Sequence, residues 1–371
     1  MPNRIEDYAA IGNCETMALV GRDGSIDWLG LPRFDSAACF AALLGEPRHG
    51  RWLIAPDAVR STVSRTYRGD SMILETTFAT DAGRAVVIDF MSRRDGTSDL
   101  VRIVRGIKGR MAMHTDLVVR FGYGSVVPWV SRAEDGRLEL IAGPDRLLLD
   151  TRVALRGADL STVGEFEIGA GDDDVVFTLT WSASWQPPPP RFDAVRALQE
   201  TEGFWSGWLE RLKDSGEWSE AIGRSLLTLK ALSHHETGGI VAAGTTSLPE
   251  KIGGARNWDY RLCWLRDSTF TLYAFLGAGF LEEAQAWRQW LLRAVAGSPD
   301  ELQIMYGVAG ERRLVEYTVD WLPGYEASAP VRIGNAAADQ VQLDVYGEVL
   351  ATLYVARRAG LSGNDASWAL E

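Results

Sequence analysis

A chain of 371 residues, 46% hydrophobic and 24% charged, has the balance of a globular protein with material for two or three domains. Its formal net charge of −12 argues against the basic face that duplex nucleic-acid binding requires and favours solubility. Cys14, Cys39 and Cys263 show no paired spacing, and His49, His114, His234 and His235 fall in no metal-binding pattern, so neither a disulfide framework nor a zinc motif is expected.

In chain order, the opening MPNRIEDYAA has no apolar signal-peptide segment, and nowhere do about 18 apolar residues run together, so a cytoplasmic location without membrane contact is expected. The first half reads as β-structure. The runs 84–91, 99–109, 113–124, 137–143, 146–155 and 174–184 are rich in Val, Ile, Leu, Thr and Phe, partly alternate, and are separated by EDG, GPD and GAGDDD. Short strands at this spacing with turn signals between them predict an antiparallel sandwich. QPPPPR at 186–191 cannot continue a sheet ladder and marks a boundary.

Beyond the prolines, 192–212 reads as a helix bent or broken near Gly203. A second helix places Trp218, Ile222, Leu226, Leu229 and Leu232 near a 3.6-residue period. Asp267 is a candidate N-cap for a helix over 267–280. Residues 281–297 carry acids early and arginine late, as the helix dipole favours, and 339–360 forms another helix stopped near Gly360. The irregular stretch 298–338 is long for a loop, which points to a role in shaping a site. The expected organisation is a β-domain over 1–190, a helical linker over 191–216 and a helical domain over 217–371.

ARNWDYRLCWLRDS, residues 255–268, crowds Trp258, Tyr260 and Trp264 among arginines and aspartates. Core packing accounts for rings but poorly for charges, which are rarely buried unpaired. A ligand with apolar faces and a rim of hydroxyls accounts for both, and the 14 tryptophans supply stacking platforms as well as core.

Four stretches together resemble glycoside hydrolase family 15, the glucoamylase and bacterial trehalase group. They are the N-terminal IEDYAAIGNCETMALVGRDGSIDWLGLPRFDSAACFAALLG, then GGARNWDYRLCWLRDS, LQIMYGVAGERRLVEY and LPGYEASAPVRIGNAAADQVQLDVYGEVL. The resemblance implies a multidomain β plus α protein: an N-terminal antiparallel β-sandwich, a helical linker and an (α/α)6 barrel of which 217–371 forms only the first part. In WLRD, Arg266 and Asp267 resemble the pair that holds the 4- and 6-hydroxyls of a terminal glucose, although a structural ion pair with Asp267 as helix cap is the competing reading. An arginine fork donates and an aspartate accepts, so the pair suits a polyol. Trp258, Tyr260 and Trp264 line the pocket wall or simply fill core. Tyr306 resembles an aromatic near the reacting sugar, and Arg332 and Asn335 come toward the same loops as Gln342, Asp344 and Glu348.

Asp344 and Glu348 share a helix face one turn apart. Groups so placed do not flank a scissile bond from opposite sides, as the carboxyls of an inverting enzyme do at roughly 6.5–9.5 Å, so a supporting role is expected for them. The family's general acid lies in a later motif containing WE and RG, and its base farther on. Neither motif precedes Glu371, so no catalytic residue is assigned. The expectation is a C-terminally truncated fragment, inactive alone, with uncovered apolar helix faces. The parent would be an inverting exo-acting α-glucosidase acting on trehalose or a maltooligosaccharide, with no metal or organic cofactor, as a monomer or a homo-oligomer. A non-catalytic sugar-binding or structural module is the alternative, and a phosphorylase-type barrel a third reading.

Overall fold

The computed structural model of the protein describes residues 2–94, 96–213, 216–296 and 301–361. Its first half is an extensive antiparallel sheet folded over into two layers. One strand, Thr97–Val118, belongs to both. Its first half pairs with Gly83–Arg94 and Val175–Ala183, and its second half with Arg51–Pro56 and Ser161–Gly169. The change of partners falls at RGIKG: a Cβ on Gly106 would collide with the Gly169 carbonyl oxygen, and Gly109 has φ +66°. The two separate runs read at 99–109 and 113–124 are therefore mostly one strand, followed by a tight turn at Phe121–Gly124.

Strand alternation builds the core between the layers. Arg51–Pro56 and Leu74–Ala79 bury every second residue. Ile26, Trp52, Phe78, Leu100, Leu117 and Phe177 meet in one cluster. The strands Tyr8–Gly12, Met17–Gly21, Ser25–Gly30 and Thr62–Tyr67 went unread in the sequence. Ser25–Gly30 is buried throughout, so it carries no alternation to read.

The helix Ala194–Leu209 joins the halves. Ala194, Ala197 and Leu198 pack on Val86, Ile88 and Val101 of the sheet, while Trp205 and Trp208 enter the core of the helical half. It is not broken at Gly203, whose missing side chain faces open space. Asp193 caps it, its Oδ1 accepting from Val195 N at 2.9 Å and Arg196 N at 3.1 Å. Asp193→Ala is expected to cost about 1 kcal/mol of stability, read as a lower urea midpoint.

Among the described residues four more α-helices follow, at Ser219–Ala231, Leu265–Ala278, Leu281–Ala294 and Asp344–Arg358. The face read for the first of these is rotated: Gly223, Leu226, Leu227 and Ala231 are buried, whereas Trp218 and Ile222 are exposed. Gly223 lets the Leu209 side chain approach, which turns that face inward. The last helix starts at Asp344, because 336–339 forms a separate short turn capped by Asn335. The helix expected over 281–297 ends at Ala294, and the one expected to open within NDASWALE lies outside the described residues. Phe270, Leu350 and Tyr354 leave apolar surface exposed on these helices. Among the described residues no helix is long and apolar enough to cross a membrane.

Polar contacts tie the halves together. Trp28 Nε1 donates to Gly244 O at 2.8 Å, and Arg33 bridges Asp35 and Glu311. Beneath that bridge His234 packs its ring edge-on to Phe34, its Nδ1 accepting from Thr237 N. Burial, with Arg33 adding to it, pushes the imidazole pKa down from 6.5 to about 4. The unfolded chain therefore takes up a proton before the native one does. Stability contributed above pH 6.5 is lost as pH falls toward about 4. Urea midpoints followed from pH 7 to pH 4 should decline in this window, and His234→Gln should flatten that part of the decline.

Candidate functional site

Residues 257–261 alternate in space as a strand must, but with the sides inverted. Asn257, Asp259 and Arg261 are buried, while Trp258 and Tyr260 are partly exposed on the opposite side. The buried charges are therefore Asp259 and Arg261. Asp259 Oδ2 accepts from Arg261 Nη2 at 2.7 Å, and Oδ1 accepts from Nε at 3.0 Å. The remaining donors reach Phe34 O, Ser36 O and the Tyr123 hydroxyl, so all five N–H groups of the guanidinium are used. The sequence reading passed over this pair. The signal available was a polar residue at every second position of NWDYR, on the side opposite the rings.

The next element is a two-residue strand, Cys263–Trp264, paired with Met305–Tyr306. The helix Leu265–Ala278 starts immediately after it, with Trp264 at the N-cap position. Asp267 is thus inside the first turn and not the cap, because the helix begins two residues earlier than its apolar pattern indicated. There its charge still suits the dipole. Arg266 Nη2 donates to Asp267 Oδ2 at 3.4 Å, and the guanidinium lies over the Trp264 ring at 5.3 Å. The Tyr260 ring is 6.1 Å from that of Trp264. Burial, followed by Glu250 and Asp267, raises the Tyr260 hydroxyl pKa.

The helix Asp344–Arg358 packs alongside. Thr352 Oγ1 donates to Thr269 Oγ1 at 3.0 Å. One turn nearer both N-termini, Glu348 lies near enough to Arg266 and Asp267 to feel both charges. Burial, with Asp344 adding to it, raises the Glu348 carboxyl pKa, and Arg266 opposes the shift. Glu348 Oε2 is buried with no hydrogen-bond partner among the described residues. Arg266, Asp267, Tyr260, Asp344 and Glu348 thus collect at the N-terminal ends of two neighbouring helices. The Arg266 and Asp267 side chains keep 41% and 43% of their surface exposed, so their polar atoms remain available to a ligand. Such a set can donate to and accept from several hydroxyls at once, beside the face of an aromatic ring.

The other four residues expected here are placed differently. Tyr306 is fully buried: its hydroxyl accepts from Gln303 N at 2.9 Å and its ring meets Trp290 edge-on, so it supports the site from within the core. Asn335 is consumed structurally, its Oδ1 accepting from Ala337 N and its Nδ2 donating to Asp259 O. Arg332 covers the Trp258 ring at 4.5 Å and is held by Glu316, Ala255 O and Asn257 O. Trp258 and Arg332 therefore form a stack of their own. Trp264 is 7% exposed, with Nε1 lacking a partner among the described residues. Among these residues no cluster of three or more His, Cys, Asp or Glu is arranged to hold a metal.

Residues 1–154 match the trehalase-like N-terminal family, and residues 217–370 match glycosyl hydrolases family 15. A trehalase of Mycolicibacterium smegmatis is 33% identical over 403 residues, covering 98% of this chain and 58% of that protein. A trehalase of Mycobacterium tuberculosis is 34% identical over 385 residues, covering 95% of this chain and 56% of its own length. The chain thus spans somewhat over half the length of these curated relatives. A crystal structure of a bacterial glucoamylase complexed with acarbose superposes with a TM-score of 0.64 at 13% identity, over 96% of this chain and 56% of that one.

Proposed function

The chain belongs to glycosyl hydrolases family 15, and from that premise we propose that its parent protein is an inverting, exo-acting α-glucosidase that releases glucose from trehalose or maltooligosaccharides. The observation that carries this reading is the half-exposed Arg266–Asp267 pair seated on Trp264 at a helix N-terminus, with Glu348 within electrostatic reach. Arg266 donates to and Asp267 accepts from adjacent hydroxyls of a terminal glucose, which favours a chain end over an internal unit. Tyr260 and Trp264 offer an apolar wall to the sugar face. Two curated relatives named trehalase favour trehalose as substrate.

In this reading 1–190 is an N-terminal sandwich, 191–216 a linker, and 217–371 the opening part of an (α/α)6 barrel. Neither Asp344 nor Glu348 is the proton donor or the water activator. They lie one turn apart on a single helix and so cannot act from opposite faces of a sugar ring. Their role is instead to support the pocket floor. The test is glucose release from trehalose and from maltose, measured for this chain and for the product of the whole reading frame. Release by the longer product alone is expected. Turnover by the 371-residue chain would overturn the exclusion of the catalytic carboxylates from it, and a longer product inert on both sugars would overturn the hydrolase reading.

A further inference from the structure

A cavity of about 640 Å³ lies in the β-domain, away from the site above. It opens where the two layers part, between the strands Trp129–Arg132 and Leu138–Ala142 on one side and Arg156–Ala158 and Ser161–Gly169 on the other. Its size is that of a small-molecule pocket. Leu117, Val119 and Leu140 form the floor and belong to the sandwich core, so the cavity is an opening into that core. Trp129, 87% exposed, and Leu160, 71% exposed, stand at the rim. At the rim Asp159 and Leu160 form the tight turn that joins Arg156–Ala158 to Ser161–Gly169, both in the left-handed region at φ +47° and +61°.

Arg120, Arg156 and Asp159 are the charged residues of the lining, and of the three only Arg120 is buried. Arg120 is 7% exposed, yet among the described residues no carboxylate pairs with it. Among the described residues its one side-chain hydrogen bond runs from Nη1 to the carbonyl oxygen of Val119, 2.7 Å away. Burial lowers its pKa, with no anion offsetting that cost. A buried guanidinium normally has a partner, and among the described residues four of its five donors have none.

We infer that this cleft binds a small amphipathic carboxylate free in solution, of medium-chain fatty-acid type, its apolar tail between the sheet layers and its carboxylate on Arg120. Charge complementarity selects an anion over a neutral sugar, and the apolar floor selects a hydrocarbon body over a polar one. The assignment is independent of the glycosidase reading.

The test is calorimetric titration of the full chain with decanoate, and with decanol as the uncharged partner of equal length. Decanoate should bind, and Arg120→Gln should weaken it about 10- to 100-fold while leaving decanol unchanged. Arg120→Lys should restore part of the loss. Trp129→Ala, at an exposed position, should weaken both ligands without affecting folding, and it keeps the test open if Arg120 variants fail to fold. No decanoate binding, equal binding by Arg120→Gln, or occupation of the cleft by a second copy, seen as a doubled mass in light scattering that decanoate does not reverse, would each overturn the assignment.

Discussion

Replacing Arg261 by methionine is expected to lower the stability of the chain by about 3–5 kcal/mol, the range for removing one partner of a buried ion pair. Arg261 and Asp259 have side-chain exposures of 1% and 3%. Without the guanidinium, Asp259 keeps only the Gly334 N–H as a long-range donor at 3.1 Å, and its charge is left in a low-dielectric interior. Phe34 O, Ser36 O and the Tyr123 hydroxyl lose their shared donor at the same time. Those three groups lie in the β-domain, so the substitution also loosens the joint that holds the strand of Trp258 and Tyr260. The measurement is the urea midpoint followed by tryptophan fluorescence. An unchanged midpoint would remove Arg261 from this role, and Asp259→Asn combined with Arg261→Met should recover part of the loss.

Arg266→Ala is expected to do the reverse: little to stability and much to turnover. Its ion pair with Asp267 is half-exposed and long at 3.4 Å, worth about 0–1 kcal/mol. If Arg266 positions a terminal glucose, its loss misplaces the scissile bond and should lower kcat/KM on trehalose about 10²-fold in the product of the whole reading frame. Arg266→Lys should restore only part of that rate, because an ammonium keeps the charge but not the planar fork. Rates equal to wild type in both variants would take Arg266 out of the site. Together the two arginine variants separate the scaffold from the binding function, although both residues sit in the same short motif.

The contrast between these two arginines shows how far local pattern reaches. In ARNWDYRLCWLRDS the sequence marks a dense run of rings and charges, and chemistry alone picks out Arg266–Asp267 as a grip for hydroxyls. Alternation in NWDYR groups Asp259 with Arg261, yet nothing local says that theirs is the buried side. Alternation would ordinarily send Trp258 and Tyr260 inward and Asp259 and Arg261 outward. The tertiary structure reverses this because a carbonyl 225 residues away, at Ser36, and the Tyr123 hydroxyl satisfy the guanidinium inside the protein.

By itself the sequence determined what depends on short-range periodicity and on turn chemistry: β-runs before the prolines, helices after them, the cap at Asp193's helix left unread but the helix itself placed, and a crowded polar-aromatic motif at a helix start. Only the tertiary structure decided which charges are interior, which face of Ser219–Ala231 turns inward, that Tyr306 and Asn335 are committed to packing and capping, and that Glu348 comes within electrostatic reach of Arg266. Hydrophobic periodicity is written within a few residues. The partners that make a buried charge tolerable come from segments far apart in the chain, and their convergence is a property of the folded whole.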